Sequence, residues 1–473
     1  MKSLKRYLAA LTAIALTAGM TACGGKDDSA NSKDSFVYSG DTVTVDLTKA
    51  ENIAAIPAGA ETTITYLGEG DLNPTKASPE KTTEMNLFNS KGGTMNFVYT
   101  ANADRFDDLA AHVMSGDIDL FKYEWLAFPS QIAKDMYQPI DDIVDFDSAL
   151  WSGVKSTADQ FVISGKHYIA PLSFSAVYVY YDKSVIEKNA LKDPLKLYQE
   201  NNWNWNTFED LMKEYVQGAT GDEVRYGVNG FFKPHIVQQT GKTMVTYDAA
   251  SNKYVSNLAD ADIARAEQFL YDISKEGLVN NAWLGNAKTC FDTNVLFYIM
   301  GPWAATGQWQ PADGEEWGVL PVPKDPNNMD LNITTSDMAA YMWVKGSTAK
   351  DAVKTWLECC RVSSTDETYL NTTKEKWLAT NTGWTEQDYD MMRSITGDDY
   401  KMVTDIAYGV SAVLGDRKQF EEHNECLVDA LYGRVTVIND DGSQSTWSQV
   451  RDSYGGVVDS ELTKLNDELA KIQ

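Results

Sequence analysis

The chain has 473 residues, 43% of them hydrophobic and 23% charged, with a formal net charge of −27. That acidity excludes a nucleic-acid binder that works by neutralising phosphates, which needs a surplus of Lys and Arg. Five cysteines in a chain this long exclude a disulfide-stapled scaffold.

Lys2, Lys5 and Arg6 make a basic start, and Tyr7 to Met20 is uncharged and mostly apolar. That run is too short for a permanent membrane helix and predicts a secretion signal. It ends in "MTAC" (Met20–Cys23) and a polar "GGKDDSANSKDS". This resembles the lipobox of bacterial lipoproteins, which implies removal of residues 1–22 and a diacylglyceryl anchor on Cys23. An ordinary signal peptide with a chance cysteine is the alternative. Residues 23–60, rich in Ser, Asp, Thr and Ala, are expected to be a lipid-anchored tether, with Thr42–Asp46 alternating like a short strand. No later segment has an apolar run long enough to span a bilayer. The remaining chain exceeds one compact core and predicts two lobes.

The body opens with "TTITYLGEGDLNP" (Thr62–Pro74), a β-rich run followed by Gly-flanked acids. A helix is expected over Thr82–Asn89, then a strand in "TMNFVYTAN". In "DRFDDLAAHVMSGD", Phe106, Leu109, Ala110 and Val113 recur at helical spacing, and Gly116 stops the helix. "IDLFKYEW" (Ile118–Trp125) reads as a strand, "AFPSQIAKDM" as a helix and "YQPIDDIVDF" as a connection. Strands alternating with helices in this way predict α/β units with parallel strands.

"GKHYIAPLSFSAVYVYYDKSVIEKNAL" (Gly165–Leu191) repeats the style, with a hairpin-like start, a Val/Tyr run and a helix. In "NNWNWNTFEDLMKEYV", Asn206 or Thr207 is expected to cap a helix with Phe208, Leu211, Met212 and Tyr215 on its apolar face. Trp203 and Trp205 pack its start. "LADADIARAEQFLYDISKEGLV" is a second amphipathic helix. The apolar "VLFYIM" (Val295–Met300) is broken by "GPWAATGQW", and "ITTSDMAAYMWVKGS" is strand-like. From Thr348 to Gln473 the chain reads as mostly helical, with a turn at Asn439–Gln444. Cys359 and Cys360 in "DAVKTWLECCR" read as buried thiols, and the spacing leaves a bridge involving Cys290 or Cys426 open.

The order of these motifs resembles the extracellular solute-binding proteins of ABC importers, in the carbohydrate-binding family that includes maltose-binding protein. "DLAAHVMSGDIDLFKYEW" is similar to the family's helix, SGD turn and strand leading to the cleft. "GKHYIAPLSFSAVYVYYDKSVIEKNAL" is similar to its first crossover, and "NNWNWNTFEDLMK" to its Trp-rich helix start. "FYIMGPWA" with "WGVLPVPK" resembles its GPW…PxP segment, and "ITTSDMAAYMWVKGSTAKDAVKTWLECC" its return crossover. The resemblance covers about residues 61 to 473. It implies an α/β, two-lobe periplasmic-binding-protein-like fold (type II), with crossover hinges and a helical C-terminal part. Lobe 1 would take 61–172 plus 325–372, and lobe 2 would take 173–324 plus 373–473. It also implies a monomer that binds a carbohydrate between the lobes, closes on it and docks on membrane permease subunits. No cofactor, metal or nucleic acid is expected.

A sugar offers C–H faces to aromatic rings and hydroxyl edges to carboxylates and hydroxyls. Trp303, matching the GPW tryptophan, is the first candidate, since Gly301 and Pro302 break the strand just before it. Trp309 follows on the same loop. Tyr123, Glu124 and Trp125 end a first-lobe strand, where alternation separates Glu124 from its two neighbours unless the strand has already stopped. Glu69 and Asp71 follow the first strand. Phe174 and Ser175 sit at the first crossover, where sugar binders can carry an acidic residue. Phe232 and Trp384 complete the candidates. Three other readings remain at this point: a binder of peptide or another non-sugar solute, a sensor or adhesion lipoprotein, and a secreted glycan-active enzyme. The last lacks a motif, since the chain has no G-x-S-x-G, H-E-x-x-H or G-x-x-x-x-G-K-[ST], and His112, His167, His235 and His423 are scattered.

Overall fold

The computed structural model describes residues 52–76, 78–397, 399–417 and 425–472. Cys23, the signal segment and Thr42–Asp46 lie outside the described residues. Among the described residues, fourteen strands form two main sheets and two small hairpins. The strands are β1 (Thr63–Gly68), β2 (Thr94–Tyr99), β3 (Leu120–Lys122), β4 (Val162–Ile163), β5 (Lys166–His167), β6 (Ala170–Ala176) and β7 (Tyr178–Asp182), followed by β8 (Tyr226–Gly230), β9 (Val245–Asp248), β10 (Lys253–Ser256), β11 (Val295–Met300), β12 (Trp317–Pro321), β13 (Ile333–Trp343) and β14 (Lys401–Val403).

The first sheet runs β14–β13–β3–β1–β2, with β6 also on β13. Its centre is parallel: β1 pairs with β2 from Thr63↔Thr94 to Gly68↔Tyr99, and with β3 at Leu67↔Phe121. The long β13 runs against both β3 and β6. The second sheet runs β12–β7–β11–β8, with β8 parallel to β11 and β7 antiparallel to β11 and β12. Central parallel strands covered on both faces should be continuously apolar. Accordingly, all six residues of β11 are buried.

The helices that cover these sheets follow the sequence periodicities closely. Helix α1 (Thr83–Ser90) is N-capped by Thr82, and α2 (Arg105–Ser115) stops where Gly116 adopts φ 68°. Helix α3 (Ser130–Ala133) is only one turn of the expected longer helix. Helix α4 (Trp205–Gln217) buries Phe208, Leu211, Met212 and Tyr215 as the spacing requires. Its cap is Asn204, not Asn206 or Thr207. Thr207 is the third helical residue, and its hydroxyl closes a reciprocal capping box on the Asn204 backbone. Trp203 and Trp205 are buried at this helix start. Helices α5 (Phe232–Gln238) and α6 (Ala261–Lys275) follow in the second lobe, α7 (Lys350–Thr365) packs on α1, and α8 (Glu367–Thr380) and α9 (Glu386–Ser394) underpin the second sheet. Helices α10 (Leu427–Gly433) and α11 (Trp447–Ile472) complete the chain, and α11 packs on both α3 and β10. Cys290, Cys359, Cys360 and Cys426 are free and buried.

Other features depart from the sequence expectation. Residues 52–60 are not all tether: Ile53 and Ile56 are buried in the first-lobe core, and the Ile56 amide donates to the Lys91 carbonyl at 3.0 Å. β6 stays in the first sheet to Ala176 and β7 begins in the second at Tyr178, with Val177 between them. The return crossover reaches the first sheet only at Ile333, since Asp325 is still gripped by Arg265 of α6 through two bonds of 2.7 Å. In addition, β14 rejoins the first sheet inside the otherwise helical C-terminal third.

Helix α6 buries one group at an energetic cost. Glu267 is fully buried, and neither carboxylate oxygen has a hydrogen-bond partner. Desolvation pushes its carboxyl well above the usual range, and the charge of Lys233 offsets this only in part. Tyr432 of α10 also feels its charge. A carboxyl whose pKa is raised on folding contributes stability that is fully present below its unfolded pKa and is lost as pH rises through the folded value. Glu267→Gln removes this titration. Wild type should therefore lose stability relative to the variant as pH rises above about 4.5, by about 1.4 kcal/mol per pH unit until the folded carboxyl ionises. Denaturant melts across this range check it: parallel pH profiles would show that Glu267 is ionised in the fold.

Candidate ligand-binding cleft

Strand direction places the site. In the first sheet, β1, β2, β3 and β6 all run in one direction, because β13 runs against β3 and β6 alike; β3 ends opposite Tyr341 of β13, where β6 begins, and β6 runs on to pair with Ser336. In the second sheet, β8, β11 and β12 end at one edge, where β7 begins. Only Val177 separates the end of β6 from the start of β7, and its amide donates to the Thr335 carbonyl at 3.1 Å. The carboxyl end of β6 therefore meets the carboxyl-end edge of the second sheet at this crossover, with the ends of β1, β2 and β3 facing the same way, and a crevice outside strand carboxyl ends is where open α/β sheets bind ligands.

On the first wall, β3 stops at Lys122, which frees the next three residues from alternation. Tyr123 turns inward and is buried edge-on against Phe161 at 5.5 Å. Trp125 stacks on Tyr408 at 5.1 Å and 7°, and the Arg417 guanidinium lies 5.0 Å from its ring centroid. Both are thus engaged by the protein itself. Glu124 is half-buried, and its Oε2 accepts from Arg105 Nη2 at 3.0 Å. Its Oε1 has no partner. Burial raises the Glu124 carboxyl above the usual range, Arg105 opposes this, and Glu69 and Asp416 add to it. Glu69 is exposed just past β1. Asp71 is exposed too, but its Oδ1 closes a local turn, accepting from the Asn73 amide and side chain at 2.9 Å. Phe174 and Ser175 are half-buried on β6, opposite Met338 and Asp337 of β13.

The second wall is aromatic. Trp303 follows β11 in a short 3-10 turn (Pro302–Ala304) and is 37% exposed. A Cβ on Gly301 would lie 3.0 Å from Trp303 Nε1, so the glycine makes room for the indole to fold back over the backbone. The loop beneath is tied down by buried groups. Trp384 is 4% exposed, packs against Tyr180 and Trp317, and donates from Nε1 to the Ala305 carbonyl at 2.8 Å. The Gly307 amide donates to Asn381 at 2.8 Å, and half-buried Trp309 closes the next 3-10 turn.

Two candidates are therefore corrected. Trp384 supports the Trp303 loop from within the core rather than facing a ligand. Phe232 is 1% exposed on the inner face of α5, whereas the adjacent Phe231 keeps partial exposure and packs edge-on against His235. His235 is buried, and burial pushes its pKa down to about 3 against the opposing effect of Gln238. Three residues at these edges were missed. Arg105 follows an unremarkable Asn-Ala-Asp turn, and only the fold brings it to Glu124. Tyr99, 66% exposed, ends β2 beside Gly68, and Trp283, 68% exposed, lies in a loop with no sequence mark of its own. Among the described residues no group of His, Cys, Asp or Glu could hold a metal ion, and no helix is long and apolar enough to cross a membrane.

Residues 85–391, well over half of the chain, match the family model described as bacterial extracellular solute-binding protein. No curated protein matches the sequence. Solved structures do. A sugar transporter protein from Rhizobium etli, in an open conformation, aligns with TM-score 0.58 at 15% identity, covering 87% of this chain and 100% of its own. The sugar-binding protein MalE from Xanthomonas citri aligns with TM-score 0.55 at 14% identity, covering 87% and 98%. The galacto-N-biose/lacto-N-biose I-binding protein of an ABC transporter from Bifidobacterium longum aligns with TM-score 0.52 at 13% identity, covering 86% and 99%. At these identities the likeness is one of fold, a two-lobe type II solute-binding architecture. The family model and the topology together place the chain: it belongs to the bacterial extracellular solute-binding protein family.

Proposed function

We propose that this protein is a lipid-anchored, sugar-binding component of an ABC importer. It captures a carbohydrate, an oligosaccharide rather than a single ring, between its two walls. The lobes close around the ligand, and the closed form delivers it to membrane permease subunits. What supports this reading is the presence of two complementary chemistries past the strand ends of the two sheets. An exposed indole, Trp303, stands at the carboxyl edge of the second sheet, and the carboxylates of Glu69 and Glu124 stand at that of the first. An apolar face and charge-assisted acceptors are what a sugar's C–H face and hydroxyl edge require. The related structures from Rhizobium etli, Xanthomonas citri and Bifidobacterium longum carry sugar in their own descriptions, which supports the same ligand class.

In this reading Trp303 is the stacking platform, and Glu124, oriented by Arg105, accepts from hydroxyls. Glu69, Asp71, Phe174, Ser175 and Trp309 line the remaining edge. Tyr123 and Trp125 shape the first wall from behind. Hinge closure about the crossovers is the motion this architecture uses. Energy comes from the importer's ATPase subunits, and the chain itself turns nothing over.

A ligand that binds only the folded state raises stability by about 2.7 kcal/mol at a hundredfold excess over Kd. A thermal-shift screen of the soluble body against mono- and oligosaccharides, with amino acids and peptides as controls, should give hits among the sugars only. Trp303→Ala should weaken the best hit at least about tenfold, or 1.4 kcal/mol, and Gly301→Ala should weaken it less by displacing the ring. Peptide hits, or full affinity in Trp303→Ala, would contradict the sugar site. For the anchor, the protein should incorporate radiolabelled fatty acid in cells and Cys23→Ala should abolish the labelling; labelling that persists in the variant would contradict lipidation at that cysteine.

A further inference from the structure

The first wall gathers carboxylates whose neighbouring guanidinium groups are already engaged. Strands β1 and β3 lie side by side in parallel, with Leu67 opposite Phe121, so Glu69 and Glu124 follow neighbouring strand ends. Glu124 accepts from Arg105 at 3.0 Å, and its Oε1 is buried without a partner. Glu69 is exposed and makes no ion pair among the described residues. Glu69 and Asp416 both repel the Glu124 charge, and Arg105 opposes them. Arg105 is committed to this loop: Asn102 holds its other terminal nitrogen, and its guanidinium lies 4.7 Å from the Phe106 ring centroid. Arg417 is held by Asp429 at 3.2 Å. A second observation comes from behind the wall. Tyr137 is 2% exposed, and its hydroxyl has no hydrogen-bond partner. That hydroxyl feels the charges of both Glu124 and Arg105, so it faces the same spot.

We propose that the sugar held at this wall carries a protonated amine, so that the ligand is an amino sugar whose ammonium lodges between Glu69 and Glu124. This rests on the saccharide reading of the cleft and narrows it. An ammonium brings three donors, no acceptor and a full positive charge. It suits the Glu124 Oε1 and the Glu69 carboxylate, which only accept, and the Tyr137 hydroxyl, which accepts as well as donates. A neutral hydroxyl would satisfy one acceptor and leave the repulsion between the carboxylates in place. A sugar bearing its own carboxylate would add to that repulsion. The wall is partly buried, where opposite charges attract more strongly and are screened less than on an open surface. The formal net charge of −27 also favours encounter with a cation over an anion.

The test is calorimetric titration of the soluble body with glucosamine, galactosamine, mannosamine and their disaccharides, beside the neutral parents, the N-acetyl derivatives and the uronic acids. In the series that binds, the amino sugar should exceed its neutral parent and its N-acetyl derivative at least about tenfold in affinity, the worth of one hydrogen bond to a charged group. Added salt should narrow that ratio. Glu69→Gln and Asp416→Asn should each lower it, Glu69→Gln the more, and the exposed Glu69→Gln should melt as wild type does without ligand. Equal affinity for an amino sugar and its neutral parent would overturn the ammonium site and leave the saccharide reading standing, as would tighter binding of a uronic acid. A preference for the amine that survives both Glu69→Gln and high salt unchanged would put the amine elsewhere and overturn the site as well. Silence of every amino sugar while a neutral glycan binds would also overturn it, and silence of all the sugars would remove the saccharide reading with it.

Discussion

The site depends on strand direction at one residue, Val177. Because β6 ends and β7 begins on either side of it, the carboxyl end of β6 is brought to the carboxyl-end edge of the second sheet. The register that enforces this is the antiparallel pairing of β6 with β13, which also fixes β3 through the other part of the same long strand. A slip of one residue there would turn Phe174 and Ser175 of β6 to opposite faces. The Arg265–Asp325 pair secures the return path. Asp325 is wholly buried, so losing the arginine would leave a buried charge unpaired, one of the costlier single changes a fold can suffer.

The two walls are made differently. The first is polar and tightly coupled, with Glu124 held between Arg105 and the charges of Glu69 and Asp416. Leaving one carboxylate oxygen of Glu124 without a partner is costly in the unliganded protein, and a ligand hydroxyl would remove that cost. The second wall is apolar and rigid. Trp384 and Asn381 hold the Trp303 loop from below, and Asn229 holds the Trp283 loop from the side.

Much of this architecture could be read from the sequence. The periods of Phe106, Leu109 and Val113, or of Phe208, Leu211 and Tyr215, specify helices because each must bury one face. Gly301 and Pro302 marked the end of β11 because a break after an apolar run has few other meanings. The failures share a cause. Trp384 and Phe232 stand among the binding candidates, the first as a loop aromatic, and tertiary packing draws both into the core. Trp283 lies in "NNAWLGN", where nothing local distinguishes an exposed ring from a buried one, and Arg105 acquires its meaning only from a glutamate nineteen residues away in the chain. Ile53 and Ile56 looked like tether because two isolated apolar residues show no period.

The account's central claim is that the two walls belong to one site that closes on its ligand. Small-angle scattering of the soluble body, with and without the saccharide that stabilises it most, tests this directly. The account predicts a smaller radius of gyration at saturation, with the change abolished in Trp303→Ala. An unchanged radius at saturating ligand would contradict it, leaving a sugar bound to one wall alone.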